Sequence, residues 1–417
     1  MDPETEVAAP VIGGLDIDTN EKSGGMYQVW MLAISLSILQ IGFGLVAPIF
    51  PYYIESMGMA GIELGVLAAS FAIARIILAG PLGRLSDRVG RKPVLIVALL
   101  GFAFSNIVYA YAYDVIVMIG ARSVEGAVSA GFFPAANALV SDVTTPKNRG
   151  TAMGYLSMGN MVGFVVGPAL GGFLAQFLGI RVPFILAGIA TLLTMVLLYI
   201  LVEEPVKKTI KKVTPKIPIR EIVNRARACY GALGVAMFAN MFAMGILEVA
   251  FMLDAVINIG LEPYEIGLFF GVIGISMMIG NVGFGKLSDI RGRKWLIVIG
   301  AMIGAGAMGM FILAQTTIDL LIAGIVLSIG MSMRGPAIQA LIADVTDPSA
   351  YGVMMGVFGA VSNSAYAVSP LIGGYIFDET GTAALSLAIA GGVSVAGGVV
   401  AAVLLPGSSS EETCVTD

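Results

Sequence analysis

The sequence has no histidine, only two cysteines and few charged residues, and each of these shortages excludes a class of chemistry. Without histidine, the chain lacks the commonest metal ligand and the side chain that usually exchanges protons near neutral pH. Cys229 and Cys414 are too few and too scattered for a disulfide framework or a cysteine metal site. No nucleophile–base pair or nucleotide motif is present either. The sequence therefore predicts neither an enzyme nor a cofactor-binding protein, and leaves any proton chemistry to carboxylates.

Charged residues make up 12% of the chain, where a soluble domain carries about 25%. Hydrophobic residues make up 57%, and the mean hydropathy is +0.91. A bilayer span needs about 20 mostly apolar residues, and twelve windows of the sequence qualify. They are residues 27–50, 61–82, 94–113, 115–139, 151–177, 182–202, 229–257, 265–284, 295–315, 319–341, 352–376 and 382–404. The sequence thus predicts an all-α membrane protein with twelve transmembrane helices, which we number as spans 1 to 12.

The basic residues are distributed asymmetrically between the predicted loops. Of the 23 lysines and arginines, 19 fall on one side of the membrane if the N-terminus is cytoplasmic. Arg75, Arg122 and Arg334 fall within spans, and Arg181 falls on the other side. Because lysine- and arginine-rich loops stay in the cytoplasm, we expect both termini there, in a multi-pass protein of the plasma (inner) membrane.

The second half of the chain repeats the first at an offset of 202 residues. Residues 83–92 match residues 285–294, and Pro168 matches Pro370 at the same offset. An even number of spans in each repeat gives both halves the same orientation, with the substrate site between them. We therefore predict two pseudo-symmetric six-helix bundles, 27–202 and 229–404, joined by a basic linker at 203–228, with a disordered tail at 1–26 and a second tail at 405–417.

The loop after span 2 and the start of span 4 resemble a known family. Residues 83–92 match the loop signature of the major facilitator superfamily, and residues 285–294 repeat it. Residues 122–126 are similar to the arginine motif of span 4 in that family, although Glu125 stands where many members have glutamine. The resemblance extends from span 1 to span 12. It implies transport by alternating access, in which one half rocks against the other.

Three other segments resemble narrower groups within this family. Residues 163–172 of span 5 resemble the motif associated with proton-coupled antiporters, and residues 44–51 resemble the span 1 motif of twelve-span drug:proton antiporters. In span 7, the segment that contains Asn240 and Glu248 is similar to vesicular amine transporters. The resemblance implies an exporter that uses protons as its coupling ion and needs no cofactor.

The repeated loop predicts a latch motif on the cytoplasmic side of each half. Its glycines permit close helix approach and a tight turn, and its acidic residues can pair with arginine. Ion pairs that form only in the outward-facing state would stabilise that state, and simple topological anchoring by basic residues is the alternative. The predicted members are Gly83, Asp87, Arg88, Gly90, Arg91 and Asp142 in the first half and Gly285, Asp289, Gly292, Arg293 and Asp344 in the second.

Spans 5 and 11 share a pattern of glycine and proline. Their prolines predict kinked helices, and their glycines predict close backbone contact with a neighbouring helix. The antiporter resemblance implies that this region closes one side of the membrane against proton leak, and tight packing alone is the alternative. The predicted hinge residues are Gly163, Gly167, Pro168, Gly171, Pro370 and Gly373.

Five charged residues fall within spans, where the cost of burying a charge marks a candidate functional site. Arg122 and Glu125 are three residues apart on one helix face and can pair, as a structural bridge or as a proton relay. Glu248 lies near the middle of span 7, where a low dielectric makes a carboxylate hold its proton more readily. A proton and a cationic substrate would then compete for Glu248. A structural salt bridge with Arg75 or Arg334 is the alternative.

Arg75 and Arg334 have uncharged counterparts in the other half, so they break the repeat. Three arginines and two carboxylates give the intramembrane set a charge of +1 when all are ionised, which suits an anionic substrate. Asp254 lies about 9 Å beyond Glu248 along a helix, near the outer rim. Aromatic and methionine side chains are expected to line an adaptable apolar cavity: Phe43, Phe50, Tyr52, Phe132, Phe133, Met244 and Tyr366.

The leading prediction is a proton-coupled exporter of amphipathic or cationic organic compounds. One alternative is an organic anion carrier that uses Arg75 and Arg334, and another is a non-transporting sensor or lipid-handling protein on the same fold. The expected partners are a small-molecule substrate, protons and membrane lipids, with no nucleic acid. Nothing in this architecture requires more than a monomer.

Overall fold

In a computed structural model, the described part of the chain forms twelve long helical spans. The structure describes residues 19–46, 48–145, 148–204, 226–347 and 350–406, and this part of the chain contains no strand. Most of the predicted tails and linker lies outside the described residues. The helices are Thr19–Val46 and Phe50–Ser56 (span 1), Gly61–Val89 (2), Arg91–Tyr111 (3), Val115–Val143 (4), Arg149–Leu178 (5), Val182–Leu201 (6), Arg227–Ile246, the π-helical turn Leu247–Phe251 and Met252–Ile257 (7), Pro263–Arg291 (8), Arg293–Leu313 (9), Thr317–Val345 (10), Tyr351–Thr380 (11) and Ala384–Leu404 (12). The predicted twelve-helix architecture is confirmed.

Span 11 differs from the other spans in its polarity. Eleven spans among the described residues are long and apolar enough to cross a membrane, and span 11 is the exception although it has 30 residues. Its middle contains Asn363 and Tyr366, with serines on either side of Asn363. This helix packs against spans 2 and 7, and both polar residues line a cavity between the halves. Its polar face is therefore directed into the protein and away from lipid.

The helix contacts repeat between the halves as the sequence does. Span 1 packs against spans 5 and 6, span 2 against span 4, and span 3 against spans 4 and 6. The counterparts of these contacts are present in the second half, between span 7 and spans 11 and 12, span 8 and span 10, and span 9 and spans 10 and 12. The halves meet each other where span 2 packs on span 11 and where span 5 packs on span 8. Two symmetry-related seams therefore join them.

The two ends of the bundle differ in charge. The basic end carries Arg84, Arg88, Arg91, Lys92, Lys286, Arg291, Arg293 and Lys294. The acidic end carries Glu55, Glu63, Asp114, Asp254, Glu262, Glu265, Asp319, Asp378 and Glu379, together with Arg181. Loops rich in lysine and arginine favour the cytoplasm, so the basic end is the expected cytoplasmic side.

The halves are in contact at the acidic end. The carboxylate of Asp378, at the end of span 11, accepts hydrogen bonds from the backbone N–H groups of Gly61 and Ile62 at 2.6 and 2.8 Å. These N–H groups belong to the first turn of span 2, where a helix favours a negative charge. The hydroxyl of Tyr52 donates to the carbonyl of Leu261 at 2.5 Å, which is a second bond between the halves. The acidic end is therefore closed.

Close backbone contact in the seams depends on residues without side chains. A Cβ atom on Gly65 of span 2 would lie 2.6 Å from the carbonyl oxygen of Pro370 in span 11. A Cβ atom on Gly267 of span 8 would lie 2.8 Å from the carbonyl oxygen of Pro168 in span 5. Both distances are too short for real atoms, so a larger residue at either glycine would separate the halves.

The latch motif of the first half forms ion pairs within that half. Arg91 Nη1 lies 2.6 Å from Asp87 Oδ1, and Arg91 Nε lies 3.5 Å from Asp142 Oδ2. Gly90 has a φ of 121°, which allows the tight turn that the sequence predicts between spans 2 and 3. Open space surrounds Gly83, so the predicted close helix approach at this glycine is absent in this conformation.

The second half repeats this arrangement. Arg293 pairs with Asp344, and Gly292 makes the equivalent turn with a φ of 85°. Open space surrounds Gly285 as it does Gly83, and the side chain of Asp289 lies outside the described residues. The glycines of both latch motifs thus face open space while the ion pairs in both halves are formed. Which end faces the cytoplasm is an expectation, so the restriction of these pairs to the outward-facing state stays a prediction.

Glu204 caps the start of span 3 from the end of span 6. Its two carboxylate oxygens accept hydrogen bonds from the backbone N–H groups of Arg91 and Lys92, each at 2.7 Å. A carboxylate at this position satisfies N–H groups that have no partner within the helix and interacts favourably with the helix dipole. The second half has Pro406 at the equivalent position, which cannot provide such a cap.

Glu204→Ala is expected to lower the free energy of unfolding by about 1 kcal/mol, because the first turn of span 3 loses its cap. Thermal unfolding in detergent should show a lower Tm than in the wild type. Glu203→Ala is the matched control, since Glu203 is also exposed and has no hydrogen bond or ion pair among the described residues. Equal Tm values for the two variants would argue against the cap.

Candidate functional site

A cavity of about 280 Å³ lies between the two halves. Most of its lining comes from spans 1, 2, 3, 4 and 6, and spans 7 and 11 contribute the wall from the second half. Of the aromatic residues predicted to line it, Phe43, Phe133 and Tyr366 do so. Met241 lies in the lining where the sequence predicted Met244. The cavity has the mixture of apolar walls and a few polar groups that is typical of small-molecule sites.

Arg122 of span 4 is the charged group at the centre of this site. Its side chain is buried, and its guanidinium carbon lies 5.5, 5.2 and 4.8 Å from the ring centroids of Phe43, Phe50 and Phe71. Cation–π attraction to these rings offsets part of the hydration that the guanidinium loses on burial. Its Nη1 donates a hydrogen bond to Glu125 Oε2 at 2.9 Å. The predicted pairing of Arg122 with Glu125 is confirmed.

Glu125 is held by two donors and is closed off from the cavity. Only 2% of the residue is exposed, and the hydroxyl of Tyr109 donates to Glu125 Oε2 at 3.0 Å. Tyr109 is itself fully buried against Phe50 and Phe184. Of the two predicted roles, this arrangement favours the structural bridge over the proton relay.

Glu248 of span 7 connects the two halves. Its Oε1 lies 3.7 Å from Nη2 of Arg122, and its Oε2 accepts a hydrogen bond from the hydroxyl of Tyr366 in span 11. The side chain of Glu248 is 33% exposed, against 3% for Glu125, so Glu248 is the more exposed of the two carboxylates. The sequence offered Arg75 or Arg334 as its structural partner. The structure instead pairs Glu248 with Arg122 from the other half.

Glu248 lies in an unusual part of its helix. The residues Leu247–Phe251 form a π-helical turn, in which the N–H of Met252 bonds to the carbonyl of Leu247 five residues earlier. An α-helix makes this bond four residues back, so the turn contains one residue more than an α-helical turn. π-Helical turns are rare and frequently occur at functional sites.

The two arginines that break the repeat lie in different places. Arg75 lines the cavity, half-buried, with its guanidinium carbon 5.7 Å from the ring centroid of Phe133. Arg334 is buried between spans 9 and 10 beside Gly304 and is absent from the cavity lining. Its Nε and Nη1 atoms have no hydrogen-bond partner among the described residues. The anion site predicted from both arginines is therefore not formed in this conformation.

Asn240 and Asp254 of span 7 also lie away from the cavity lining. The Oδ1 atom of Asn240 is buried and lacks a hydrogen-bond partner within the described part of the chain. Asp254 accepts hydrogen bonds from the side chain of Asn258 at 2.7 Å and from the N–H of Ala383 at 3.2 Å. It thereby ties span 7 to the start of span 12 near the acidic end, as its predicted position indicates.

The predicted hinge glycines of span 5 make close contact with span 1 of their own half. A Cβ atom on Gly167 would lie 2.7 Å from the Cα atom of Gly44, and Gly163 and Gly171 approach span 1 as closely. In span 11, Pro370 lies against Gly245 of span 7 and, across the seam, against Gly65. Gly373 faces span 7. The close packing is present as predicted, and movement at these residues stays a prediction.

Sequence reasoning missed several residues of this region. Tyr109 and Asn106 lie in span 3. A polar side chain within an otherwise apolar segment is the sequence signal that could have identified them. Asp378 and Glu204 cap helices that are distant in sequence, and no local pattern indicates those contacts.

Comparison with known proteins supports one family. The model of the Major Facilitator Superfamily matches residues 32–317 and 233–416. The chain is 27% identical over 354 residues to multidrug resistance protein 2 of Bacillus subtilis (strain 168), which covers 84% of this chain and 88% of that protein. It is 25% identical over 383 residues to quinolone resistance protein NorA of Staphylococcus aureus (strain MRSA252), and this match covers 89% of this chain and 95% of that protein. None of these is an enzyme, which confirms that prediction.

Solved structures share the fold. A bacterial homolog of the human lysosomal transporter Spinster, in an inward-facing and unoccupied conformation, superimposes with a TM-score of 0.73 at 17% identity, over 94% of this chain and 97% of that one. The human organic anion transporter MFSD10 gives a TM-score of 0.66 at 17% identity, over 90% and 99%. Since the sequence match extends over both halves of the fold, the chain belongs to the Major Facilitator Superfamily of multi-pass membrane transporters.

Proposed function

We propose that this transporter is a proton-coupled exporter of amphipathic or cationic organic compounds. It works by alternating access in the plasma membrane, with both termini in the cytoplasm and protons as the coupling ion. The observation that carries the proposal is the contact between Arg122 and Glu248, because it joins the two halves beside the cavity. The names of the curated relatives, a multidrug and a quinolone resistance protein, support the substrate class.

The charges at this contact explain how a proton and a cation compete. Arg122 contributes +1, and Glu125 and Glu248 contribute −1 each when ionised, so the cluster has a charge of −1. One further positive charge makes it neutral, and either a proton on Glu248 or a cationic substrate can supply it. Glu248 is the only one of the three that is partly exposed. Binding of one cation therefore disfavours binding of the other, which is the requirement for antiport.

Neutralisation of Glu248 also changes the contact between the halves. An ionised Glu248 attracts Arg122 across the interface, and a protonated one does not. The contact lies at the cavity, whereas the seams at the acidic end hold the halves by hydrogen bonds and close packing. Proton binding thus weakens one link between the halves while the others stay in place, and this biases the equilibrium between conformations.

Glu248→Gln is expected to reduce transport driven by a pH gradient about tenfold or more, because glutamine cannot release a proton or bind a cation by charge. The assay uses purified protein in liposomes with an imposed pH gradient and a fluorescent lipophilic cation. Glu379→Gln, at an exposed carboxylate of the acidic end, is the control and should transport normally. Undiminished proton-driven transport by Glu248→Gln would remove Glu248 from the mechanism.

Transport of organic anions is the second candidate, because Arg75 lines the cavity with no carboxylate partner among the described residues. Uptake that collapses in Arg75→Ala and survives in Glu248→Gln would favour it. A sensor or lipid-handling protein would instead bind ligands without any flux in sealed vesicles.

A further inference from the structure

Asn106 presents a buried, unpartnered oxygen at the cavity. The residue lines the cavity and is 5% exposed. Its Nδ2 donates to the carbonyl of Phe102 at 2.8 Å, and since a carbonyl accepts only from a donor, this bond fixes which end of the amide is nitrogen. The Oδ1 atom is buried and has no hydrogen-bond partner among the described residues. A buried acceptor of this kind is costly until something donates to it.

The same cavity also contains unpartnered donors. Arg75 lines it and has neither an ion pair nor a hydrogen bond within the described part of the chain. The Nε atom of Arg122 is likewise buried without a partner there. The cavity therefore presents unpartnered guanidinium donors and, in Asn106, a buried amide oxygen without a partner among the described residues. A ligand that matches these groups must both accept and donate hydrogen bonds.

The repeat shows that these polar groups belong to the first half alone. At the positions equivalent to Arg75 and Asn106, the second half has Met277 and Met308. Met308 is buried in the core of the second half, and Met241 supplies an apolar part of the cavity wall. The second-half wall of the cavity therefore has no counterpart of Arg75 or Asn106, and its polar groups are Asn363 and Tyr366.

The charges around the cavity indicate the same kind of ligand. Arg75 contributes +1, and the cluster of Arg122, Glu125 and Glu248 contributes −1. A molecule with one negative and one positive group can compensate both charges at once. A simple cation leaves Arg75 uncompensated, and a simple anion leaves Glu248 uncompensated.

We propose that Arg75 and Asn106 form a head-group subsite that selects amphoteric substrates, which carry a carboxylate together with an N–H donor. The carboxylate binds the guanidinium of Arg75, the N–H donates to Oδ1 of Asn106, and the apolar body lies against the rings of Phe43 and Phe71. The inference rests on the proposed export function, whose substrate class it narrows.

The test compares three probes for binding to the purified full-length protein in detergent. The first is a quinolone with a carboxylate and a piperazine amine, the second is its methyl ester, and the third is tetraphenylphosphonium, which has neither a carboxylate nor an N–H group. Arg75→Met should weaken quinolone binding about tenfold and leave the other two probes unchanged. Asn106→Met should weaken binding of the quinolone and its ester about equally and leave tetraphenylphosphonium unchanged. Methionine is chosen because the second half has it at both positions.

Asn137→Met is the matched control. Asn137 lies in span 4, is exposed and is absent from the cavity lining. This variant should bind all three probes like the wild type, and retained binding of tetraphenylphosphonium shows that each variant is folded.

Two results would overturn the subsite. One is a wild type that binds the quinolone no better than its ester, and the other is an Asn106→Met variant that matches Asn137→Met for every probe. The export function has a separate readout, the proton-driven flux of tetraphenylphosphonium in liposomes. If the wild type showed no proton-driven flux of tetraphenylphosphonium, the proposed export function would be overturned. The binding comparison would still decide whether the subsite exists.

Discussion

Arg122→Met is expected to lower the free energy of unfolding by about 3–5 kcal/mol and to abolish transport. Arg122 is 5% exposed, and its removal leaves Glu125 buried with Tyr109 as its remaining donor. An uncompensated buried carboxylate is among the most costly defects that one substitution can create. Transport fails as well, because Glu248 loses its partner across the interface.

The double variant Arg122→Met, Glu125→Met separates these two effects. It removes both members of the buried pair, so most of the lost stability should return, whereas transport should not. Thermal unfolding in detergent and flux in liposomes measure the two quantities. Arg84→Met, at an exposed arginine of the basic end, is the control for loss of a positive charge. If Arg122→Met had the same free energy of unfolding as Arg84→Met, the Arg122–Glu125 pair would be more hydrated than its burial indicates.

Gly65→Leu is expected to abolish transport by a different route, by holding the acidic end apart. A Cβ atom on Gly65 already lies 2.6 Å from the carbonyl oxygen of Pro370 and 3.1 Å from the Cα atom of Leu371. Backbone atoms cannot move aside as a flexible side chain can, so spans 2 and 11 must separate. The variant should therefore occupy the conformation that is open at the acidic end, and it cannot complete the cycle.

Electron–electron distance measurements can detect this separation. Spin labels are placed at Tyr113→Cys, just before span 4, and at Ile318→Cys in span 10, in a background without native cysteines. Both positions are exposed at the acidic end of opposite halves, so the labels report the distance between the halves at that end. Gly80→Leu on the same helix is the matched control, because open space surrounds Gly80. Gly65→Leu should shift the distance distribution to longer values, and Gly80→Leu should not. An unchanged distribution with normal flux would show that the seam tolerates a side chain.

The sequence predicted what depends on local pattern and on the repeat. Hydropathy gave the twelve spans, and the spacing of Arg122 and Glu125 gave their ion pair, since residues three apart on a helix are always neighbours. The partner of Glu248 could not be predicted in this way. Arg122 and Glu248 meet only because the two halves pack around a common cavity, and no pattern within either span encodes that packing.

The conformation of the protein was also beyond the reach of the sequence. A motif such as Gly83 to Arg91 is the same in every state of the transport cycle, so it cannot show that the halves are in contact at the acidic end. The subsite at Asn106 was closer to being predictable. An amide within an apolar span, opposite a methionine in the repeat, is a signal that becomes clear once the cavity shows where the side chain lies.

The π-helical turn explains a one-residue difference between the two copies of the repeat. Residues after this turn correspond to residues of the first half at an offset of 202. Residues before it, matched by the contacts that they make, correspond at an offset of 201. Gly44 lies against Pro168, and Gly245 lies against Pro370 in the same way.

The lining of the cavity follows the shorter offset too, since Gln40 corresponds to Met241. Val46 ends the first helix of span 1 at the level where Leu247 begins the π-helical turn. The two copies thus interrupt the same helix at the same depth: in the first copy one helix ends at Val46 and the next begins at Phe50, and the second copy has an inserted residue. Glu248 belongs to that insertion, so the carboxylate that links the halves occupies the place where their duplication is no longer symmetric.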